Sequence, residues 1–483
     1  MNDTVRQLNP PVLWNHFADI NAISRPSKKE EKIISFIKSF GDSLQLQTTV
    51  DAAGNVIIKK PATPGMENKS PVILQGHLDM VHQKNSDVTF DFDTQGIKMI
   101  VEGDWVIANG TTLGADNGIG VAAIMSVLSS TDIPHPALEA LFTIDEETGM
   151  TGALQLKPGS LAGNILLNLD TEEDNELTIG CAGGMDVTAA GSYECGPSPE
   201  GKVYLLKLKG LKGGHSGVDI HKGRANANKL MNRLLVTLLK DANVQIASME
   251  GGSLRNAIPR ESEAIIVHPA GNNQDIAEMV MAFEAVLKME YSYTDPDLCL
   301  KLVSAPPIKD VVSKNFQEQF FKAMYACPNG IYRMSPDIDA LVQSSNNVAK
   351  VVVKEGRWTV QCLTRSSVDT EKYDLAESIR CSFELAGGKV EYSGDYPGWT
   401  PRPASAVVKL MSSIYLDMFG NAPHVNAVHA GLECGILGAH YPEMEMISFG
   451  PNIYGAHSPD EKVQVSSVEK FWGYLKEVLS KIP

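Results

Sequence analysis

The sequence predicts an α/β fold with a long α+β segment inserted into it, and three observations carry that prediction. Short, nearly continuous apolar runs such as "PVILQ", "ALEALFTI" and "NILLNLD" alternate with helical stretches in the first 180 residues, the pattern of a mostly parallel sheet buried on both faces. From about Gly183-Gly184 the runs become alternating and half-exposed, as in "MDVTAAGSYECG" and "KVYLLKLKGLKGG". Beyond "GDYPGWTPRP", rich in Gly and Pro, the earlier pattern returns. A chain of 483 residues has ample core for two or three domains.

The elements follow in order. Trp14, Phe17 and Ile20 recur at helical spacing, and "KKEEKIISFIKSF" sets Ile33, Ile34, Ile37 and Phe40 on one helix face. "LQLQTTVDAAGNVIIKK" reads as two strands around a turn at Ala53-Gly54-Asn55. After "PVILQ" comes the Gly-rich turn and helix "GADNGIGVAAIMSVLSS", then the two further buried strands. In the insert, "RANANKLMNRLLVTLLKDA" is an amphipathic helix with Leu230, Leu234, Leu235 and Leu238 inward. A second round follows: the helix "AEMVMAFEAVLKMEY", the strand "CLKLVSA", the hairpin "NNVAKVVVKEGRWTVQCLTR" and the helix "KYDLAESIRCSFELAGG". This is the pattern of a duplicated strand-helix-strand-strand unit. The helix "AVVKLMSSIYLDMFG" and the strand "MEMISFGP" complete the first domain. The expected division is residues 1–184 with 393–483 as one discontinuous domain, and 185–392 as the insert.

Composition removes several function classes. The net charge of −16 argues against nucleic acid and anionic membranes as partners, since both reward clustered Lys and Arg. No run of ~18 apolar residues offers a membrane span, and "MNDTVRQLNPPVLWNHF" lacks the pattern of a secretory signal. Seven scattered cysteines without a CxxC argue against a disulfide framework or a cysteine zinc site. The expectation is a cytoplasmic protein with reduced thiols.

Chemistry concentrates where strands end. In "GHLDMV", His77 and Asp79 lie two apart and point the same way, at the strand edge where open α/β sheets bind ligands. A carboxylate beside a histidine can fix its tautomer and free the other ring nitrogen for a metal. "FTIDEETG" places Asp145, Glu146 and Glu147 after a second strand, and "NILLNLD" ends a third at Asp170. "GADNGIG" puts Asp116 at a helix start, and "GAHSPDE" puts His457 in a loop after a fourth strand. Each has a bland reading alone: a polar pair, a solvated acidic cluster, an N-cap, a loop histidine. Together they form an imidazole and carboxylate set without thiolate, which suits zinc, manganese or cobalt. Five such side chains exceed one tetrahedral ion and suffice for two if one carboxylate bridges.

"GHLDMV", "GADNGIG", "DEETG", "LNLDTEED" and "GAHSPDE", in this order, resemble the co-catalytic zinc peptidases that include peptidase T and carboxypeptidase G, in particular their aminoacyl-histidine dipeptidase branch. The resemblance covers essentially the whole chain. It implies a zinc-peptidase catalytic domain with helices flanking a mixed sheet, and an inserted lid domain. It implies two Zn2+ per chain, with Co2+ or Mn2+ able to substitute. His77 and Asp170 then hold one ion, Glu147 and His457 the other, and Asp116 bridges both across a cis bond to Asn117. Asp79 orients His77, and Glu146 is the general base.

In the insert, the resemblance makes His215 of "LKGGHSG" an oxyanion donor. It makes Asn256 of "LRNAIP" and Arg365 of "LTRSS" holders of the substrate's terminal carboxylate. Glu433 of "HAGLECG", four residues after His429, is open between a substrate or lid anchor and ordinary hydrogen bonding. Asp145 is read as supporting its turn, and "TEEDNE" as a mostly solvated face. The implied activity is hydrolysis of dipeptides, Xaa-His and β-alanyl-histidine included, by a homodimer. The alternatives are a tripeptide aminopeptidase, an N-acyl amino-acid deacylase or a non-catalytic metal-binding scaffold.

Overall fold

The computed structural model describes residues 2–483, which divide into two compact units. The first comprises residues up to Gly180, Pro401–Ala427 and Leu432–Pro483; the second comprises Cys181–Thr400 and Val428–Gly431. The return to the first unit falls at residue 401 rather than 393 because the strand Lys389–Tyr396 pairs with Gly183–Ser192, and Trp399 then bonds Cys181.

The first unit is built on an eight-stranded mixed sheet. Its centre is four parallel strands in the order Leu138–Thr143, Val72–His77, Ile165–Asn168 and Glu445–Ser448. The first two are buried at every residue, which explains their unbroken apolar reading. Antiparallel Val56–Lys60 and Gln47–Val50 extend one side. The helix Ala115–Ser129 is buried along nearly its whole length, so it carries apolar residues all round. Asp116 and Asn117 depart from helical backbone, and the bond between them is cis. A small antiparallel sheet of Met99–Glu102, Trp105–Ala108, Lys462–Gln464 and Ile453–Tyr454 holds the loop bearing His457 between its last two strands.

The second unit is an antiparallel sheet over a core to which four helices contribute, Leu234, Leu287, Phe320 and Ile379 among them. The doubling expected from the sequence is present in a fuller form: two strand-helix-strand-strand-helix-strand units side by side. One runs from Gly201–Lys209 through Cys299–Ser304, with the helices Ala227–Ala242 and Ile276–Glu290. The other begins at Gly183–Ser192 and resumes at the helix Lys314–Ala326, ending at Lys389–Tyr396. The first is therefore nested between the opening strand and opening helix of the second, so the helix Ile276–Glu290 and the strand Cys299–Ser304, read from the sequence as part of the second round, belong to the first.

Candidate active site

All four central strands run the same way, so their carboxyl ends share one edge. His77 closes the first strand. Glu146 and Glu147 follow the second, Asp170 the third, and the fourth leads into the His457 loop. Asp116 enters from the start of its helix. Its Oδ1 lies 3.1 Å from His77 Nε2 and its Oδ2 lies 3.1 Å from His457 Nε2. Asp170 Oδ1 is 3.5 Å from His77 Nε2, and Glu147 Oε2 is 2.9 Å from His457 Nε2. The five side chains form two overlapping triads that share Asp116. Glu146 joins His77 and Glu147 in a third.

Charge balance tests whether cations fit. His457 is pushed up to about 11 by its hydrogen bonds to Asp116 and Glu147. Burial lowers His77, but Asp170, Asp116 and Asp79 outweigh it and hold the ring well above its ordinary value. Burial likewise pushes Asp170 up to about 6 and Glu146 well above the carboxylate range, where Asp170, Glu433 and Glu147 add to the shift. Burial opposes charge on Asp116, yet the two imidazoles hold it far below that range. So much carboxylate needs positive charge, from ring protons or from divalent ions that leave the imidazoles neutral to ligate. Beyond that 3.5 Å approach to His77, Asp170 Oδ1 and the buried Glu147 Oε1 make no hydrogen bond among the described residues, as oxygens reserved for a cation should be. The residues fit divalent cations.

Asp79 is fully buried; Ser27 Oγ donates to its Oδ2 at 2.8 Å. Asp145, at φ 53°, accepts from Thr148 and Thr151 and so stabilises the turn that presents Glu146. Glu433 is buried on the first unit, where Gln75 Nε2 and Thr143 Oγ1 donate to Oε2 at 2.7 and 2.6 Å. Its Oε1 has no hydrogen-bond partner among the described residues, and burial pushes the carboxyl up to about 7. His429, read from the sequence as a neighbour of Glu433 in the same domain, belongs to the second unit. It sits 2.7 Å from Ser345 Oγ.

The second unit gathers its own candidates. His215 Nδ1 accepts the N–H groups of Gly217 and Val218 at 3.2 and 3.1 Å, which leaves the proton on Nε2 as a free donor. Burial and Arg365 lower its pKa, so the ring is neutral. Arg365 is 4% exposed; it donates to Tyr396 Oη at 2.9 Å and Ser216 Oγ at 3.4 Å. Asp186, the carboxylate that feels Arg365, is already ion-paired with Arg255 at 3.2 Å. A buried guanidinium so placed invites an anionic ligand. Asn256 is exposed, and its carbonyl accepts the Ser216 N–H at 2.8 Å.

Several residues here escaped sequence reasoning. Glu172, assigned to a solvated face, is half-buried, and burial with Asp116 and Asp170 pushes it up to about 8. Arg25 and Glu461 are buried beside the Asp116 segment. Glu461 carried a usable signal, four residues after His457 in the same motif. Arg25 carried none.

Residues 206–295 match the family model of the peptidase dimerisation domain. The chain is 41% identical over 478 residues to the cytosol non-specific dipeptidase of Escherichia coli (strain K12), covering 99% of both. The aminoacylhistidine dipeptidase of Vibrio alginolyticus superposes with a TM-score of 0.93 at 43% identity, covering 99% of this chain and 98% of that one. The aminopeptidase PepT of Bacillus cereus, at 15% identity with a TM-score of 0.58 over 98% and 99% of the two chains, shares the fold. With that identity along its whole length, the chain belongs to the cytosol non-specific dipeptidase family of M20 metallopeptidases, enzymes that depend on divalent metal.

Proposed function

We propose that this chain is a two-metal dipeptidase acting on unblocked dipeptides, aminoacyl-histidines such as β-alanyl-histidine among them. The observation that carries the reading is Asp116, with one oxygen facing His77 and the other facing His457, while the half-buried Glu146 joins His77 and Glu147. His77 and Asp170 would hold one ion, Glu147 and His457 the other, with Asp116 shared between them. Zinc suits the donor set, with Co2+ or Mn2+ in its place. When bound, such ions would supply polarisation of the peptide carbonyl and acidification of the attacking water.

The chain's own groups do the rest. Glu146, desolvated and repelled by neighbouring carboxylates, accepts the water's proton and delivers it to the leaving amine. His215 offers Nε2–H to the oxyanion, and Arg365 with Asn256 takes the substrate's terminal carboxylate.

Homodimerisation fits the second unit. The helix Ile276–Glu290 exposes Met281 and Met289, 70% and 72% accessible, and Cys299–Ser304 is an unpaired sheet edge. A cytoplasmic location accords with the name of the Escherichia coli relative.

The test is hydrolysis of Xaa-His peptides, other dipeptides, tripeptides and N-acyl amino acids by purified protein, before and after chelation. Turnover confined to free dipeptides, lost with chelator and restored by zinc, cobalt or manganese, is expected. Activity on acyl amino acids alone overturns the substrate assignment.

A further inference from the structure

The short segment that delivers Asp116 is gripped from two sides by buried charges. On one side is Glu461. Its Oε2 accepts the N–H groups of Leu113 and Gly114 at 2.7 and 3.0 Å, and its Oε1 those of Ala115 and Asp116 at 2.7 and 3.3 Å. On the other side is Arg25, whose Nη2 donates to the Gly114 carbonyl at 2.5 Å. Its Nη1 donates to the carbonyls of Leu78 and Asp79 at 3.1 and 2.9 Å. The segment wraps the guanidinium closely. A Cβ at Gly114 would stand 2.5 Å from Arg25 Nη2, and one at Gly118 would stand 2.8 Å from it.

Each grip leads to a different histidine. Leu78 and Asp79 directly follow His77, so Arg25 ties the Asp116 segment to the strand end that carries His77. Glu461 lies in the same loop as His457, so it ties the segment to that loop. A carboxylate holding a single ion can swing with it. One that serves two ions must meet both at once, and its backbone must be fixed relative to both partners. Burying a guanidinium and a carboxylate is costly. What the two have in common here is the backbone of residues 113–116.

We propose that Arg25 and Glu461 are a positioning pair for Asp116, setting its backbone against the His77 strand and the His457 loop so that both carboxylate oxygens are presented together. This rests on the reading of Asp116 as the carboxylate shared by two ions.

The test titrates the full-length, metal-free protein with Co2+, followed by visible absorption, and with Zn2+ against a competing chelator. Variants are Glu461→Gln, Glu461→Asp and Arg25→Lys, with His457→Ala and Asp116→Asn as references. Glu461→Gln and Arg25→Lys are expected to weaken both binding steps by ~10- to 100-fold, as loss of a ligand's hydrogen-bond partner does. They should also alter the cobalt spectrum and lower kcat with little change in KM. The metal-free variants should melt near the parent. His457→Ala should weaken one step alone, and Glu461→Asp should recover part of the loss. Parental affinities and spectrum in Glu461→Gln and Arg25→Lys overturn the pair, even if melting falls, because a purely stabilising role predicts that combination. Asp116→Asn retaining both steps overturns instead the shared-carboxylate reading beneath it.

Discussion

His77 and Asp79 stand side by side at the end of one strand, with Nδ1 3.3 Å from Oδ1. The same carboxylate accepts the N–H groups of Glu146 and Glu147 at 3.0 and 3.2 Å. One side chain therefore stands against the imidazole proposed as a metal ligand and holds the turn that carries both glutamates. Asp79→Asn keeps the shape and removes the charge that steadies the ring. We expect metal affinity to fall by ~10- to 100-fold and kcat to fall with it. A competition titration against a chromophoric chelator measures the first, steady-state hydrolysis the second. Parental affinity in the variant would show that His77 needs no help from Asp79.

Glu146 and Glu147 are adjacent yet placed differently. Glu147 Oε2 meets His457, whereas the Glu146 carboxylate is near His77 and makes no ion pair among the described residues. Glu146→Gln should retain near-parental metal content and lose ~10²- to 10⁴-fold in kcat, the usual contribution of a general base. Metal analysis and turnover on the same sample decide it. Loss of the metal together with the activity would make Glu146 a ligand instead.

How much of this was readable beforehand follows from physics. The four central strands announced themselves because burial on both faces demands unbroken apolar runs, and titratable groups directly after such runs stand out. His77, Asp79, Glu146, Glu147 and Asp170 were legible for that reason. Arg25 was not, and Glu461 showed only as the last residue of the His457 motif. Their partners are backbone amides and carbonyls, which leave no trace in side-chain identity. The excursion of Val428–Gly431 into the second unit was also invisible. It depends on backbone pairing of Ala182 with Val428 and Ala430, distant in sequence and unmarked by any pattern.

The second unit should carry an acid-sensitive element at His429. Burial, then the Arg365 charge, lowers its pKa to about 3; His215 and His221 add to the repulsion, and only the Val342 backbone opposes them. Above about pH 6.5 the ring is neutral whether the chain is folded or unfolded. Between there and about 3 the unfolded chain binds a proton that the folded chain refuses, so stability falls as pH falls. His429→Gln removes this term. At pH 7 it should cost about 1 kcal/mol through the lost Ser345 contact. Between pH 6 and 4 the parent should lose stability more steeply than the variant, by up to about 1.4 kcal/mol per pH unit. Denaturant titrations of the metal-free proteins across that range measure both slopes. Parallel slopes would show that His429 titrates as it does in the unfolded chain.

Arg365 offers the sharpest test of substrate polarity. Its guanidinium is buried, held by Tyr396 and Ser216, and makes no ion pair among the described residues. In the proposed reading a dipeptide's terminal carboxylate would supply the opposite charge through charge-assisted hydrogen bonds worth roughly 1.5–3 kcal/mol. Arg365→Ala should therefore raise KM for free dipeptides by roughly 10- to 100-fold at that energy. The same peptides with amidated C-termini lack the anion, bind the parent weakly and should be almost indifferent to the substitution. Arg365→Lys keeps the charge without the planar fork and should fall between. The comparison is a ratio of ratios, free against amidated and variant against parent, so a general loss of folded protein cancels from it. Equal losses on both substrates would place the carboxylate elsewhere and leave Arg365 with its tyrosine and serine partners alone.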